Sequence, residues 1–135
     1  MTQRTFAMIK PHAVAAHHSG DIINNIERNG FTIVALRKEM ISAATAEIFY
    51  GEHKARPFFG ELVSNITAGP VIVMALEKEN AVKVWRDLMG PTNPVGAPVG
   101  TVRRMYGTTI SFNAVHGSDA PETAVRELGI FFPNL

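Results

Sequence analysis

The sequence predicts an α+β sandwich, a four-stranded antiparallel sheet covered by helices. Three observations carry the prediction. Four short apolar segments, mostly bounded by turn residues, read as strands; helical periodicity fills the gaps; and the resulting order is β-α-β-(αα)-β-α-β-α. Short strands with helices gathered to one side fit a ferredoxin-like arrangement with additional helices. A parallel α/β sheet is the alternative, because periodicity alone does not set strand order.

The strands are expected at residues 5–9, 31–36, 71–76 and 110–115. Between them, Ser19 is placed to cap a helix carrying Ile22, Ile23 and Ile26 and closed by Gly30. Ser42 is placed to cap a second, through Ile48 and Phe49. Pro57 opens a third, with Phe59, Leu62, Val63 and Ile66 on one face. A fourth carries Ala81, Val84, Trp85 and Leu88 and ends at Gly90, and the last contains Ala124, Val125 and Leu128. Residues 89–109 escape this pattern. With Pro91, Pro94, Pro98 and Gly90, Gly96, Gly100 and Gly107 they form a long Pro/Gly-rich loop. In a compact domain such a loop is usually functional or an assembly surface.

Bulk properties limit the function classes. A chain of 135 residues is expected to form a single domain, residues 1–135. With 46% hydrophobic and 19% charged residues the composition is that of an ordinary soluble domain. A formal charge of +1 argues against bulk electrostatic capture of nucleic acid or membrane. The absence of cysteine excludes a disulfide framework, a thiolate zinc site and a cysteine nucleophile. The first residues lack the apolar stretch of a signal peptide, and no apolar run approaches the ~18 residues of a membrane span. A cytoplasmic location is expected.

The chemistry concentrates in Asn113-Ala114-Val115-His116-Gly117-Ser118-Asp119. An apolar run stops at a histidine, and Asp119-Ala120-Pro121-Glu122 reads as a helix start with Asp119 as N-cap and Glu122 as its capping-box partner. His116 is thus expected between a strand end and a helix N-terminus, a place that favours phosphate. Gly117 and Ser118 are expected to leave room for a bulky group at the ring. The imidazole is then a hydrogen-bond donor or a nucleophile. Thr92, Arg103 and Arg104 in the long loop, with Arg86 before it, suit phosphate oxygens, although a solvated basic loop fits these residues equally well. Lys10 ends the first strand and can point at a ligand. Tyr50, His53, Arg56 and Phe58 cluster; Phe59 fits the core stripe, which turns Phe58 outward as a stacking platform for a base. His12, His17 and His18 read as surface histidines, without the spacing of a helical metal pair. No Walker loop, GxGxxG or HRD/DFG set is present, so ATP would be handled without the common phosphate cradle.

These segments resemble nucleoside diphosphate kinases. The resemblance rests on Thr5-Phe6-Ala7-Met8-Ile9-Lys10-Pro11, His53-Lys54-Ala55-Arg56-Pro57-Phe58-Phe59, Gly69-Pro70-Val71, Met89-Gly90-Pro91-Thr92-Asn93-Pro94, Gly100-Thr101-Val102-Arg103 and the His116 segment, in order from about Thr5 to Phe132. It implies a ferredoxin-like core, a closed homo-oligomer and Mg²⁺-dependent transfer of a γ-phosphate between nucleotides. By resemblance His116 is the nucleophile that becomes phosphohistidine in a ping-pong reaction. Glu127 orients its ring, Ser118 lies beside it, and Lys10 and Tyr50 donate near the transferred phosphate. Arg86, Thr92 and Arg103 bind the α- and β-phosphates, with His53 close by. Phe58 lies under the base, Leu62 and Ile110 form its apolar walls, and Lys10 and Asn113 contact the ribose. The substrates implied are ATP, GTP and other nucleoside di- and triphosphates, with broad base specificity. Stacking accepts any π-face, and no Asn, Gln or Asp near Phe58 is an evident base reader. Mg²⁺ would ride on the phosphates as a co-substrate.

The chain departs from the family pattern in places. His12 follows Lys10-Pro11 where the family usually has Asp, and Ala120 replaces a usual serine. At His12 local structure is expected to adjust and activity to survive, and Ala120 costs at most a hydroxyl near the helix start. The short ending at Pro133-Asn134-Leu135 leaves a tetramer or a hexamer built through the Pro94 loop as alternatives. Two other function classes fit the sequence less well. A non-catalytic nucleotide sensor would keep Phe58, Arg86 and Arg103 while losing His116 or Glu127, and both are present. Nucleic-acid binding or protein phosphorylation as the main role lacks a basic, aromatic-interleaved stripe.

Overall fold

The computed structural model describes residues 2–135, the Glu52 side chain excepted. Its strands are β1 (Thr2–Ile9), β2 (Thr32–Glu39), β3 (Val71–Glu79) and β4 (Val115–Gly117), in the spatial order β2-β3-β1-β4. Every neighbouring pair runs antiparallel, so the sheet is the ferredoxin-like one and the parallel alternative falls. A bulge between Ile33 and Ala35 interrupts the β2–β3 register.

β1 is central, with Phe6, Ala7, Met8 and Ile9 fully buried. Its side chains alternate between two cores. Phe6 and Met8 join Val71, Val73, Phe49, Ile66 and Phe131, whereas Ala7 and Ile9 join Met74, Leu76, Ile22, Ile26 and Trp85. A strand with four consecutive apolar residues, as at positions 6–9 of β1, has two faces to cover. The helices therefore lie on both sides of the sheet, against the expectation of one. Residues of α1 (Pro11–Ala15), α2 (Ser19–Arg28) and α5 (Ala81–Met89) fill one core. Residues of α3 (Ala43–Phe49), α4 (Phe59–Ile66) and α7 (Pro121–Phe131) fill the other. Each fully buried large apolar side chain stabilises the fold by about 1.5–3 kcal/mol.

Helix ends follow local chemistry, with some shifts from expectation. Ser42 caps α3 by accepting the Thr45 N–H, and Gly90, at φ +87°, ends α5. Ser19 is instead the first residue of α2, with His18 at the cap position and the Ser19 hydroxyl unpaired. Ala120, not Asp119, holds the cap position of α7. Pro121 supplies the first turn, where its fixed φ and missing N–H fit without a side-chain cap. Val125 on α7 faces solvent. The long loop is irregular except for α6 (Val102–Tyr106), which Thr101 caps by accepting the Arg104 N–H.

The largest difference concerns residues 110–115. Only Val115 of these is in a strand, and β4 continues to Gly117, placing His116 inside it. Ile110 and Phe112 are exposed, and Thr108 and Thr109 bond back to the Phe112 carbonyl in a turn. Ala114, at φ +73°, cannot continue an extended strand. Among the described residues no helix is long and apolar enough to cross a membrane.

Candidate active site

The β1–β4 register decides where His116 points. Its cross-strand partner is Met8, so both side chains face the core shared with α3 and α7. A slip of one residue would send the imidazole to the opposite face. The ring packs edge-on against Phe49, at 4.9 Å between centroids, and tilts against Phe6 at 6.0 Å. Its Nε2 lies 3.0 Å from Glu127 Oε1. Ser118, fully buried, donates its hydroxyl to the same oxygen at 2.7 Å. An ionised carboxylate only accepts, so Nε2 carries the proton and Nδ1 keeps a lone pair.

Glu127 is 5% exposed on the inner face of α7. Burial pushes its carboxyl up, but the His116 hydrogen bond and charge, the Ser118 hydroxyl and the Arg126 guanidinium outweigh it and hold the group below the ordinary carboxylate range. Arg126 also donates to the Phe49 and Ile48 carbonyls at the end of α3. That link ties the helix carrying Glu127 to the one ending at Tyr50. Tyr50 is buried, and burial followed by the Glu127 charge raises its phenol well above the ordinary value.

Gly117 has a different role from the one its position suggests. A Cβ there would come within 2.5 Å of the Trp85 indole and 2.7 Å of the Met89 methyl. The glycine makes room for the core, and Trp85 then donates to the His116 carbonyl at 3.4 Å. Ser118 is likewise a buried partner of Glu127 and no open approach.

Three cations, Lys10, Arg103 and Arg86, line the same cleft as the imidazole. Lys10 Nζ donates to Asn113 Oδ1 at 2.8 Å, and Asn113 Nδ2 donates to the Thr92 carbonyl at 3.1 Å. Burial first, then Arg103, lowers the Lys10 ammonium to about 8. Arg103 is 8% exposed; its Nη1 and Nη2 donate to the Gly90 and Val115 carbonyls at 3.0 and 2.9 Å, while its Nε is buried without a partner. Burial and Arg86 lower it to about 10, with Asp119 opposing. Arg86 is exposed and reaches the Asp119 carbonyl at 3.4 Å. Among the described residues none of the three cations closes a salt bridge. Three cations that close no salt bridge among the described residues, in one cleft with a half-buried imidazole, suit a multiply charged anion.

Lys10, Tyr50, His53, Phe58, Leu62, Arg86, Thr92, Arg103, Ile110, Asn113, His116 and Glu127 all line one cleft of about 1390 Å³. Of the residues that the resemblance assigns to the site, only Ser118 does not line it. Phe58 is 41% exposed, as the face of α4 requires, with His53 beside it at 5.8 Å between rings. Arg104 points elsewhere, its Nη1 donating to the Ala97 carbonyl within the long loop. His12 was misplaced by sequence. It is half-buried, and its Nε2 accepts the Ala114 N–H at 2.9 Å. Nothing in its local spacing signals this contact, which forms across the fold.

Comparison with known proteins agrees with this geometry. Residues 3–135 match the family model described as nucleoside diphosphate kinase. The nucleoside diphosphate kinase of Pelobacter propionicus is 53% identical over 130 residues, covering 96% of this chain and 95% of that one. The Deinococcus radiodurans enzyme of the same name is 51% identical over 96% of this chain and 94% of its own. Among solved structures, the Aquifex aeolicus nucleoside diphosphate kinase superposes with a TM-score of 0.94 at 37% identity, covering 98% and 96% of the two chains. The Halobacterium salinarum nucleoside diphosphate kinase, solved in complex with CDP, gives 0.95 at 38% identity, covering 99% and 90%. The chain belongs to the nucleoside diphosphate kinase family, a family of phosphotransferases.

Proposed function

We propose that this chain, as one domain over residues 1–135, moves the γ-phosphate of a nucleoside triphosphate to a nucleoside diphosphate through a phosphohistidine on His116. The observation that carries the reading is the His116–Glu127 contact of 3.0 Å, set in the same cleft as Lys10, Arg86 and Arg103. The Nδ1 lone pair attacks the γ-phosphorus in line with the β,γ-bridging oxygen. The new P–N bond forms as the P–O bond breaks, and the nucleoside diphosphate leaves with the electron pair. Glu127 balances the positive charge that grows on the imidazole, and Ser118 holds that carboxylate in place. A second diphosphate then attacks the phosphorus through a terminal oxygen and returns the imidazole.

Lys10 and Tyr50 are placed to donate to the oxygens of the transferred group, where charge is redistributed in the transition state. Arg86, Arg103 and Thr92 take the remaining phosphates, with His53 near them. Asn113 and Lys10 take the ribose. Phe58 stacks on the base, with Leu62 and Ile110 as walls. Mg²⁺ enters as part of the nucleotide substrate. Among the described residues no group of three His, Asp or Glu side chains is placed to hold a metal, and the cleft offers cations to the phosphates. The same reading carries a cytoplasmic homo-oligomer, a tetramer or a hexamer. The exposed Val95 and Val99 of the Pro/Gly-rich loop support an assembly surface.

The test is incubation with γ-labelled ATP and Mg²⁺ without acceptor, on wild type and His116→Ala, followed by mass analysis at neutral and acid pH. An acid-labile phosphate on wild type alone, chased off by GDP, is expected. Nucleotide binding without covalent phosphate would overturn the reading. A second expectation comes from Lys10, whose ammonium titrates at about 8 in the free protein. It is charged below that pH, so kcat/KM falls as pH rises through about 8, and Lys10→Arg removes that limb.

A further inference from the structure

The His12 side chain hydrogen-bonds to the backbone at Ala114, and so holds the turn that delivers a group assigned to the reaction. The Val115 N–H donates to the Asn113 carbonyl at 2.9 Å, skipping only Ala114. With Ala114 at φ +73°, this is a γ-turn of the positive-φ kind, which is rare and strained for a residue with a Cβ. The turn is buried and lies between Asn113, which holds Lys10 and Thr92, and β4, which carries His116. Both polar groups of Ala114 are taken from the start of the chain: its carbonyl accepts the Lys10 N–H at 2.8 Å, and its N–H is donated to His12 Nε2 at 2.9 Å. The His12 ring is braced edge-on by Phe112 at 5.4 Å.

We propose that His12 is a positioning residue for the reacting histidine: its neutral imidazole accepts the Ala114 N–H and so keeps the strained turn that sets Asn113 and β4. This rests on the reading of His116 as the phosphate carrier. A carboxylate or amide oxygen at this position accepts at any working pH. An imidazole accepts only while neutral, because protonation makes both ring nitrogens donors. Protonating His12 therefore sets a donor against the Ala114 N–H and releases the turn.

The surroundings favour the neutral form. Lys10 and His18 act on the ring as like charges, His17 and Lys38 line the same cavity of about 450 Å³, and among the described residues no carboxylate lines it. Burial first, then Lys10 and His18, hold the imidazole below its ordinary 6.5. The contact is thus intact at neutral pH and is lost as pH falls below that value.

Two measurements test this on the full chain. In ¹⁵N-labelled wild type, the Ala114 amide is followed together with the His12 ring nitrogens from about pH 8 to about pH 5. In parallel, single-turnover phosphorylation by γ-labelled ATP is measured on wild type and His12→Gln, each scaled to its own rate at about pH 8. Gln keeps an acceptor that does not titrate. The expected result is an Ala114 amide that shifts with the His12 midpoint, and a wild-type rate that falls about tenfold further at the acid end than that of the variant. His12→Phe, which keeps the ring and removes the acceptor, should be slower across the whole range. Superimposable acid limbs, or an Ala114 amide indifferent to the His12 ring, would overturn the proposal. If wild type takes no phosphate at about pH 8, the phosphotransfer reading falls instead, and the Ala114 amide still decides the role of His12.

Discussion

The two ends of the cleft are built differently. At the phosphate end His116, Glu127, Ser118, Lys10, Asn113 and Arg103 are each held by at least one hydrogen bond, and most are buried. His116 and Glu127 ride on β4 and α7, Lys10 and Ser118 directly follow β1 and β4, Asn113 sits in the turn that leads into β4, and Arg103 lies on α6. At the base end Phe58 and Ile110 are 41% and 58% exposed, and they come from the start of a helix and a turn. In-line transfer needs reacting atoms held to within fractions of an ångström, so its groups belong on packed elements. A base needs a flat apolar face, which a half-exposed ring supplies. On the proposed function, precision is concentrated where bonds change, and tolerance where substrates differ.

Breaking the phosphate end should give the largest effect. Glu127→Ala removes the partner of Nε2 and strands the buried Ser118 hydroxyl. Single-turnover phosphorylation of His116 is expected to slow by about 10²–10⁴-fold, with nucleotide affinity much less affected. Glu127→Gln, which still accepts a hydrogen bond, should lose less. The same residue gives a stability signature. Its folded carboxyl is held below the ordinary 4.5, so its contribution is fully present above that pH and is lost as pH falls through the lower folded value. Urea unfolding of wild type and Glu127→Gln across that acid window should show the variant with the flatter pH dependence. Equal slopes would mean that the carboxylate is not held as the geometry implies.

A pair of glycine substitutions sharpens the comparison through packing alone. Gly117→Ala drives a methyl to 2.5 Å from the rigid Trp85 indole, and overpacking of this kind costs about 1–3 kcal/mol. Gly60→Ala, on α4 near Phe58, meets nothing within 4 Å and gains helix propensity. Thermal unfolding should therefore drop by several degrees for Gly117→Ala and hold or rise for Gly60→Ala. A similar drop in both would erase the distinction between a packed phosphate end and an open base end.

Much of this was legible in the sequence, for identifiable reasons. β1 and β3 announce themselves because their apolar runs are buried, β2 shows as a shorter apolar run although it is only partly buried, and Ser42 and Gly90 mark helix ends by chemistry that acts over one turn. His116, Lys10, Arg86, Arg103 and Phe58 were singled out by their own chemistry and Glu127, Asn113, Leu62 and Ile110 only by the resemblance, and all of these line one cavity. What failed depended on contacts distant in sequence. Residues 110–114 are apolar like a strand, but Ile110 and Phe112 lie open and Ala114 turns left-handed under bonds from Lys10 and His12. Gly117 looked like space for a ligand because nothing local shows that Trp85, 32 positions earlier, fills it. His12 looked exposed because its partner is 102 positions away.

The smallest effect is expected at the base end, and it bears most directly on specificity. Phe58→Ala removes a stacking face, which contributes about 1–3 kcal/mol per base elsewhere. With the ring 41% exposed and His53 still beside it, the lower end of that range applies. KM should rise about fivefold to tenfold while kcat stays close to wild type, because the bonds that break and form are at the far end of the cleft. The rise should be similar for adenine, guanine, cytosine and uracil diphosphates, somewhat larger for the purines with their greater overlap. Steady-state kinetics with the four acceptors decides it. A rise confined to one base would mean that a hydrogen bond to a base edge operates in this cleft, and a matching fall in kcat would mean that Phe58 helps to place the phosphates. Neither fits a base held by stacking alone.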